Sequence, residues 1–469
     1  MDDRMISFGI EESDLGALRK ALDVGYGVSP ETETGFGATR LQSLAKTMKY
    51  ATEKEKASKF FLQINKSKAE STVEEFTSVN KIGRANFYVE GGLPDEWDED
   101  ITREYECVKY IGAVGKVPNV ANSVKSLVNN TTLIQNLKAI AIIRTIDYKA
   151  FFANSANIST EFNGFLAQFN NRVNNPSQNI IDLRGNCITP SILNQIGATI
   201  EGNYGDPMNL KGWIPISAFQ NYANYVIQNK TYMIGNNEIR DITAVPKKWE
   251  LANGSGNLET DLHLKSKGET NTDNPYPFMN SNNTAFAPMS SDSPNTLNAL
   301  TAVVTVVTDP SPVPLLTPGT YDYCFLPVSA WGAGAGFEVK GIVIGASQKV
   351  QAVLSDNGSP AGYQASAFEV YRKLSSNTAL TSYQYVETTP AGSTYFDDGS
   401  EIPGTNYSFF WDWDFDQVLD IRQLLPMVKQ PLAIIDDSIR WLQKWYGTPI
   451  LYNPNKMVVL KNVGSNLNC

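Results

Sequence analysis

Three carboxylates stand at alternate positions in Trp411-Asp-Trp-Asp-Phe-Asp416, a spacing that could serve a calcium loop or a glycoside-cleaving acid pair. A calcium loop needs turn residues between its ligands and a glycine, and this run has neither. In a strand, alternation puts Trp411, Trp413 and Phe415 on one face and Asp412, Asp414 and Asp416 on the other. The expectation is one packed aromatic face and one acidic face in water. His263 is the sole histidine, so a histidine triad or a histidine metal cluster has no partners to draw on, and a lone histidine usually packs or solvates. Gly332-Ala-Gly-Ala-Gly336 has the glycine content of a phosphate loop but no Lys-Ser/Thr after it, and reads as a flexible turn. Cys107, Cys187, Cys324 and Cys469 are far apart with no CxxC pair, which favours reduced thiols over a disulfide framework or a zinc knuckle. Arg184-Gly185 and Lys247-Lys248 are too sparse for a nucleic-acid patch. Asp95, Glu96, Asp98, Glu99 and Asp100 form either a solvated tip or a docking face. No nucleophile, base and oxyanion hole assemble, so the sequence predicts no enzyme, no cofactor and no metal site.

Length and charge set the bounds. At 469 residues the chain should hold two to four domains, and 42% apolar residues are ample for buried cores. No apolar run reaches the about eighteen residues of a membrane helix, and the acidic start MDDRMISFGIEESD does not read as a secretory signal. A net charge of −10 would repel nucleic acid on average, which suits a container wall, although mild acidity also simply keeps a protein soluble.

The elements that must position these residues follow from periodicity. Residues 1–60 read as an arm with little core of its own, with short helices over Ser13–Asp23 and Thr39–Tyr50. Ser71 to Val79 and Arg103 to Ile111 alternate with period two and flank an acidic, Gly/Pro-broken tip, Glu90 to Asp100. A lone hairpin is marginal in water, so this excursion needs a surface to lie on, and a neighbouring subunit is favoured. A helix of roughly 50 Å is expected from Val120 to about Phe152, with a weak patch at Asn129-Asn-Thr-Thr132. Asn179 to Gly185 reads as a short strand into a glycine turn. Thr189 and Pro190 cap a helix from Ser191 to Asn203 with Ile192, Ile196 and Ile200 on one stripe. Trp213–Ile216 reads as a strand and Ser217 starts a further helix. Residues 251–298 read as loop and linker with one edge strand. Strands over 301–308, 337–344, 350–354, 367–372, 382–387 and 408–413 suit a sandwich of immunoglobulin or fibronectin type, inserted within the older unit. Asp437 to Val463 reads as strand, turn and strand, with breaks at Gly447-Thr-Pro449 and Asn453-Pro454.

In this order the segments resemble the major capsid proteins of tailed bacteriophages with the HK-ninety-seven (Hong Kong phage) fold, close to those of large lytic phages with contractile tails. The likeness is carried by Ala69-Glu-Ser-Thr-Val-Glu-Glu-Phe76, Phe162-Asn-Gly-Phe-Leu166, Ile180-Ile-Asp-Leu-Arg-Gly185 and Ile188 to Gly205. It continues in Phe368-Glu-Val-Tyr-Arg372 with Phe396-Asp-Asp398, in Leu424 to Leu432, and in the closing strands. It covers most of 60–250 and 365–463 and is weak in 1–60 and 251–320. The resemblance implies an α+β fold divided as an N-terminal arm (1–68), an extended hairpin loop (69–118) and a peripheral domain with a spine helix (119–187). An axial domain with linker (188–298), an inserted sandwich (299–413), an axial return (414–436) and peripheral closing strands (437–469) would follow. It also implies inter-subunit contacts at Glu90, Trp97, Asp98, Glu99, Arg103, Leu425, Pro426 and Lys429. The implied function is self-assembly into pentamers and hexamers of an icosahedral head shell. That shell would enclose double-stranded DNA without sequence-specific binding, alongside portal, scaffold and decoration proteins, with no membrane. The subunit would be made in the host cytoplasm and end in the virion. The lysine–asparagine cross-link of some members has no matching pair here.

Two other readings compete. A cell-surface or adhesin-type protein would use the sandwich as its binding module, but it leaves the helical first half without a role. A hydrolase would use the acids near Trp413.

Overall fold

The computed structural model describes residues 58–123, 129–229, 248–250, 254–264, 300–311, 315–330, 332–334, 336–356, 364–378, 382–433 and 437–464. The helices expected before Tyr50 lie outside these residues. The first described helix, α1 (Lys59–Gln63), is followed by β1 (Lys66–Lys68), the hairpin β2 (Val73–Lys81) and β3 (Asp100–Cys107), and β4 (Lys109–Pro118). Helices α2 (Asn119–Ser123), α3 (Asn130–Phe152), α4 (Phe165–Arg172) and α5 (Pro176–Asn179) lead to β5 (Ile180–Asp182). Then come α6 (Pro190–Gly202), β6 (Leu210–Pro215), α7 (Ile216–Asn229), β7 (Lys248–Glu250) and β8 (Ser255–Asp261). Strands β9 (Leu300–Thr308), β10 (Gly319–Ser329), β11 (Gly332–Ala333), β12 (Phe337–Ile344), β13 (Gln348–Asp356), β14 (Ala367–Leu374), β15 (Gln384–Pro390) and β16 (Thr394–Asp397) build the inserted sandwich. The chain closes with β17 (Asn406–Asp412), β18 (Leu419–Pro431), β19 (Ser438–Leu451) and β20 (Met457–Val463).

A six-stranded mixed sheet, in the order β5-β20-β17-β6-β8-β7, lies at the centre of the body. Both its faces are covered, which is why Met457-Val-Val-Leu460 is apolar without alternation. Met457 and Val459 join Phe409, Trp411 and Trp213 on one face; Val458, Leu460 and Phe410 meet Ile196, Ile200 and Ile214 on the other. Helix α6 begins as its sequence dictates. The Thr189 hydroxyl accepts from the Ile192 N–H, Pro190 takes the first turn, and Leu193, Ile196 and Ile200 are buried.

A four-stranded sheet, β1-β18-β19-β4, packs on the spine helix α3. The spine is shorter than expected: its 23 residues span about 35 Å. It starts at Asn130, within the weak patch, while residues 124–128 lie outside the described region. Only its second half is deeply buried, through Ile142, Ile143, Ile146, Ala150 and Phe151.

Several expectations need correction. Asn406–Asp412 is not sandwich: it pairs with β20 and β6 in the body sheet, because its Phe409-Phe-Trp411 run is apolar on both faces. Residues 414–436, expected to return to the axial unit, contribute β18, which pairs with β19 and so belongs to the sheet on the spine. The strand expected over Arg103–Ile111 breaks at Val108; β3 ends the hairpin and β4 enters the body. The closing segments are not paired with each other. Strand β19 runs unbroken through Gly447-Thr-Pro449, and the turn at Asn453-Pro454 passes the chain from one sheet to the other. Gly332-Ala333 is a short strand on β10 rather than a turn, and β8 is an interior strand parallel to β6 rather than an edge. Cys187 is disulfide-bonded, against the expected reduced state, whereas Cys107 and Cys324 are free. Sequence separation does not limit which cysteines meet in a fold this non-local.

The described end of the arm is also part of the body. Phe60 is fully buried at the centre of an aromatic cluster, with Phe151 at 4.4 Å, Trp213 at 5.3 Å, Phe165 at 5.7 Å and Trp411 at 6.1 Å between ring centroids. Two buried carboxylates hold its short helix. Asp261 accepts the Phe60 N–H (3.0 Å) and Asp147 the Phe61 N–H (2.7 Å). Phe60→Ala is expected to destabilise the folded chain by about 3–5 kcal/mol, read as a lower midpoint in denaturant unfolding. A change within about 0.5 kcal/mol would show that the aromatic cluster does not depend on this residue.

Candidate functional site: the projecting hairpin and its root

Strands β2 and β3 pair from Val73↔Cys107 to Lys81↔Asp100, and their side chains alternate between two faces. Glu74, Phe76, Ser78, Thr102, Glu104 and Glu106 are on the more buried face. The other face exposes Val73, Val79, Ile101 and Tyr105 around an Arg103–Glu75 ion pair. Beyond the strands, 82–99 has no regular structure and carries Ile82 (80% exposed), Val89 (78%) and Leu93 (92%), with Phe87 and Trp97 also exposed. The projection thus carries a concentration of apolar surface that the rest of the described chain leaves uncovered.

The sequence-predicted contact residues fall in two places. Glu90, Trp97, Asp98, Glu99 and Arg103 are on the hairpin and all are exposed; the Trp97 ring lies 5.1 Å from the Arg84 guanidinium. Leu425, Pro426 and Lys429 are on β18, a different sheet. Leu425 is half-buried and Pro426 exposed, while Lys429 donates to Gln135 on the spine (3.1 Å) and lies 4.7 Å over the Trp441 ring. Exposed Tyr110, Val114 and Val428 share that sheet.

The residue that sequence reasoning missed is Arg172, at the end of α4. Its guanidinium pairs with Glu104 and lies 3.6 Å from Glu106, and it covers the Phe76 ring at 5.2 Å. Phe76 in turn meets Tyr452 edge-on at 5.2 Å, and Asn163 donates to Glu106 at 3.1 Å. Burial pushes the Glu106 carboxyl up, and Arg172 pulls it back. This cluster fixes the hairpin to the body at its root. The only trace of it in sequence is the alternating Glu104 and Glu106, which does not identify a partner 68 residues away.

The acidic run Asp412, Asp414 and Asp416 is taken up in packing and turn formation. Trp411 stacks on Trp413 at 6.1 Å, and Trp413 meets Phe415 at 5.2 Å, as one packed aromatic row. The acids differ from expectation: Asp412 is buried, accepts the Asp206 N–H at 2.9 Å, and is pushed up by that burial. Asp414 instead closes a turn by accepting from Asp416 and Gln417. The His263 N–H donates to Asp261. No group of three metal-ligating side chains occurs among the described residues, and none of their helices is long and apolar enough to cross a membrane.

No family model matches the chain. Curated relatives align along almost all of it. A protein of Enterococcus phage phiEF24C is 25% identical over 471 residues, 95% of this chain and 94% of its own. The major capsid proteins of Staphylococcus phages K and S25-3 are each 23% identical over 473 residues, again 95% of this chain and 94% of theirs. This chain is related along nearly its whole length to phage major capsid proteins. Among solved structures, the capsid of a native GTA particle covers 93% of the chain at TM-score 0.46 and 8% identity. The capsid of cyanophage P-SCSP1u covers 93% at TM-score 0.44 and 9% identity.

Arg172→Ala is expected to speed amide exchange in both root strands, 73–79 and 101–107, by about tenfold, the loss of a charged hydrogen-bond network. Arg172→Lys should recover only part of it, because an ammonium lacks the planar fork that serves two carboxylates. Unchanged exchange in Arg172→Ala would remove the anchoring role.

Proposed function

We propose that this chain is a phage major capsid protein, a subunit of the icosahedral head shell. One observation carries the reading: a long hairpin, firmly rooted in the body, presents apolar side chains that no part of the described chain covers. Burying such side chains is worth about 25 cal/mol per Å², and the covering surface is the neighbouring copy. Repetition of that contact around a closed ring produces pentamers and hexamers. Glu90, Asp98, Glu99 and Arg103 add charged contacts at the rim of the same contact, with Leu425, Pro426 and Lys429 on a second one. The relatives' names support the shell role. The net charge of −10 fits a wall that encloses double-stranded DNA without gripping its phosphates. The role is structural rather than enzymatic. Portal, scaffold and decoration proteins complete the particle, and the subunit is made in the host cytoplasm before entering the virion.

The test is a combined Phe87→Ser, Leu93→Ser and Trp97→Ser variant. All three sites are exposed in the single chain, so monomer stability should stay within about 0.5 kcal/mol of the parent. Electron microscopy of the expressed protein should show shells or capsomer rings for the parent and none for the variant. Normal shells from the variant would refute the contact between the hairpin and a neighbouring copy.

A further inference from the structure

The inserted sandwich is joined to the body in an unusual way. None of the four buried apolar clusters among the described residues mixes sandwich residues with body residues. Where the five-stranded sheet of the sandwich faces α3 and α4, a cavity of about 360 Å³ remains. Its sandwich side carries Glu369 on β14 and Glu387 and Tyr385 on the neighbouring β15, and Glu401 lines it from the connection to β17. The body side supplies Tyr148 and Lys149 from α3, Glu161 from the loop after it, and Tyr407 from β17.

The contacts bridging this seam are polar. Lys461 on β20 pairs with Glu401 at 2.7 Å, and the Tyr407 hydroxyl donates to the same carboxylate at 2.7 Å. Asn157 reaches the Thr388 carbonyl, Arg184 the Gly399 carbonyl, and Asn462 the Ser400 carbonyl. Lys149 is already paired with Glu161 at 2.6 Å. Glu387 has no hydrogen-bond or ion-pair partner among the described residues; it stands opposite Val370 on β14, next in register to Glu369, and both glutamates line the cavity with Glu401. Carboxylates gathered around one cavity repel, and here the cavity wall withholds solvent from them.

We propose that this seam is a proton-responsive joint: mild acid seats the sandwich against the spine helix, and rising pH loosens it. Burial, then the nearby Glu401 and Asp397, push the Glu387 carboxyl from 4.5 up to about 7, with Lys461 opposing. Glu401 is also raised, chiefly by burial, although Lys461 and Tyr407 hold it down. Asp398 goes the other way, because its hydrogen bonds with Ser400 outweigh burial. An acid raised in the docked state binds its proton more tightly there. The stabilisation is complete below the free carboxylate range, fades between it and about 7, and is gone above.

Hydrogen–deuterium exchange on the full chain tests this without requiring shell assembly, so it is independent of the capsid reading. After correction for intrinsic rates, exchange across 384–405 should rise on the order of tenfold between about pH 5.5 and about pH 8.5. The sandwich interior at 350–354 should not change. In Glu387→Gln the seam should stay protected at both pH values. A seam that is equally protected at both pH values in the parent overturns the proposal, as does a rise in Glu387→Gln equal to the parent's. Should that variant fail to fold, the parent's seam measured against its own sandwich interior decides the matter.

Discussion

The body rests on one requirement: a sheet apolar on both faces must be covered twice. Strand β20 satisfies it with four consecutive buried residues, Met457 to Leu460, aimed alternately at two different clusters. Its neighbours are β17 on one side and β5 on the other, so residues 180–182, 406–412 and 457–463 meet in one plane. Nothing local holds them there. Such a sheet closes only when the last strand arrives, and loop-closure entropy must be overcome before the contacts form. The aromatic cluster around Phe60 then fills one side, held by α1 through Asp147 and Asp261. A segment that looked like a free arm in sequence is, from Ser58 on, part of that closure.

The hairpin follows the opposite logic. Two strands with one exposed apolar face are at best marginally stable alone. The Arg172 cluster secures the root, and the remaining apolar surface is the face that the proposed neighbouring copy would cover. Rigidity is therefore graded along the projection: ion-paired and half-buried at Glu104 and Glu106, open to water from Ile82 to Trp97. A projection built this way holds its apolar surface in a defined direction without using that surface in its own fold.

What was legible in the sequence divides along the same line. Helix α6 could be read because its cap, its proline and its isoleucine stripe are local signals. The hairpin could be read from period-two alternation, and β20 from its apolar run. The sheet membership of β17 could not, because an apolar strand before the chain end looks the same in a sandwich as in a body sheet. Asp412 was expected in water by alternation alone; its strand has two covered faces, so the residue opposite Trp411 is buried as well. Phe60 and Arg172 carry no local mark at all. Their importance lies in distant partners, Phe151 for Phe60 and, 68 residues away, Glu104 for Arg172, which one sequence read by periodicity does not supply.

The sandwich adds a last constraint. In sequence it falls between β8 and β17, two strands that flank β6 in the same sheet. A domain inserted between such neighbours can keep a private core without disturbing the host sheet. The sandwich has that core, with Tyr323, Phe325 and Val370 from one sheet facing Val350, Ala352 and Leu354 from the other, and a buried Arg372–Asp397 pair beside Tyr323. Attachment through polar groups then becomes the natural solution. An apolar seam would fuse the two cores and tie any change in one to the other, whereas hydrogen bonds and ion pairs fix orientation while leaving each core to pack by itself. The cost is a set of half-buried carboxylates with too few cations to neutralise them. In the proposed joint, Glu387 is where this shortage is felt, because no cation pairs with it directly.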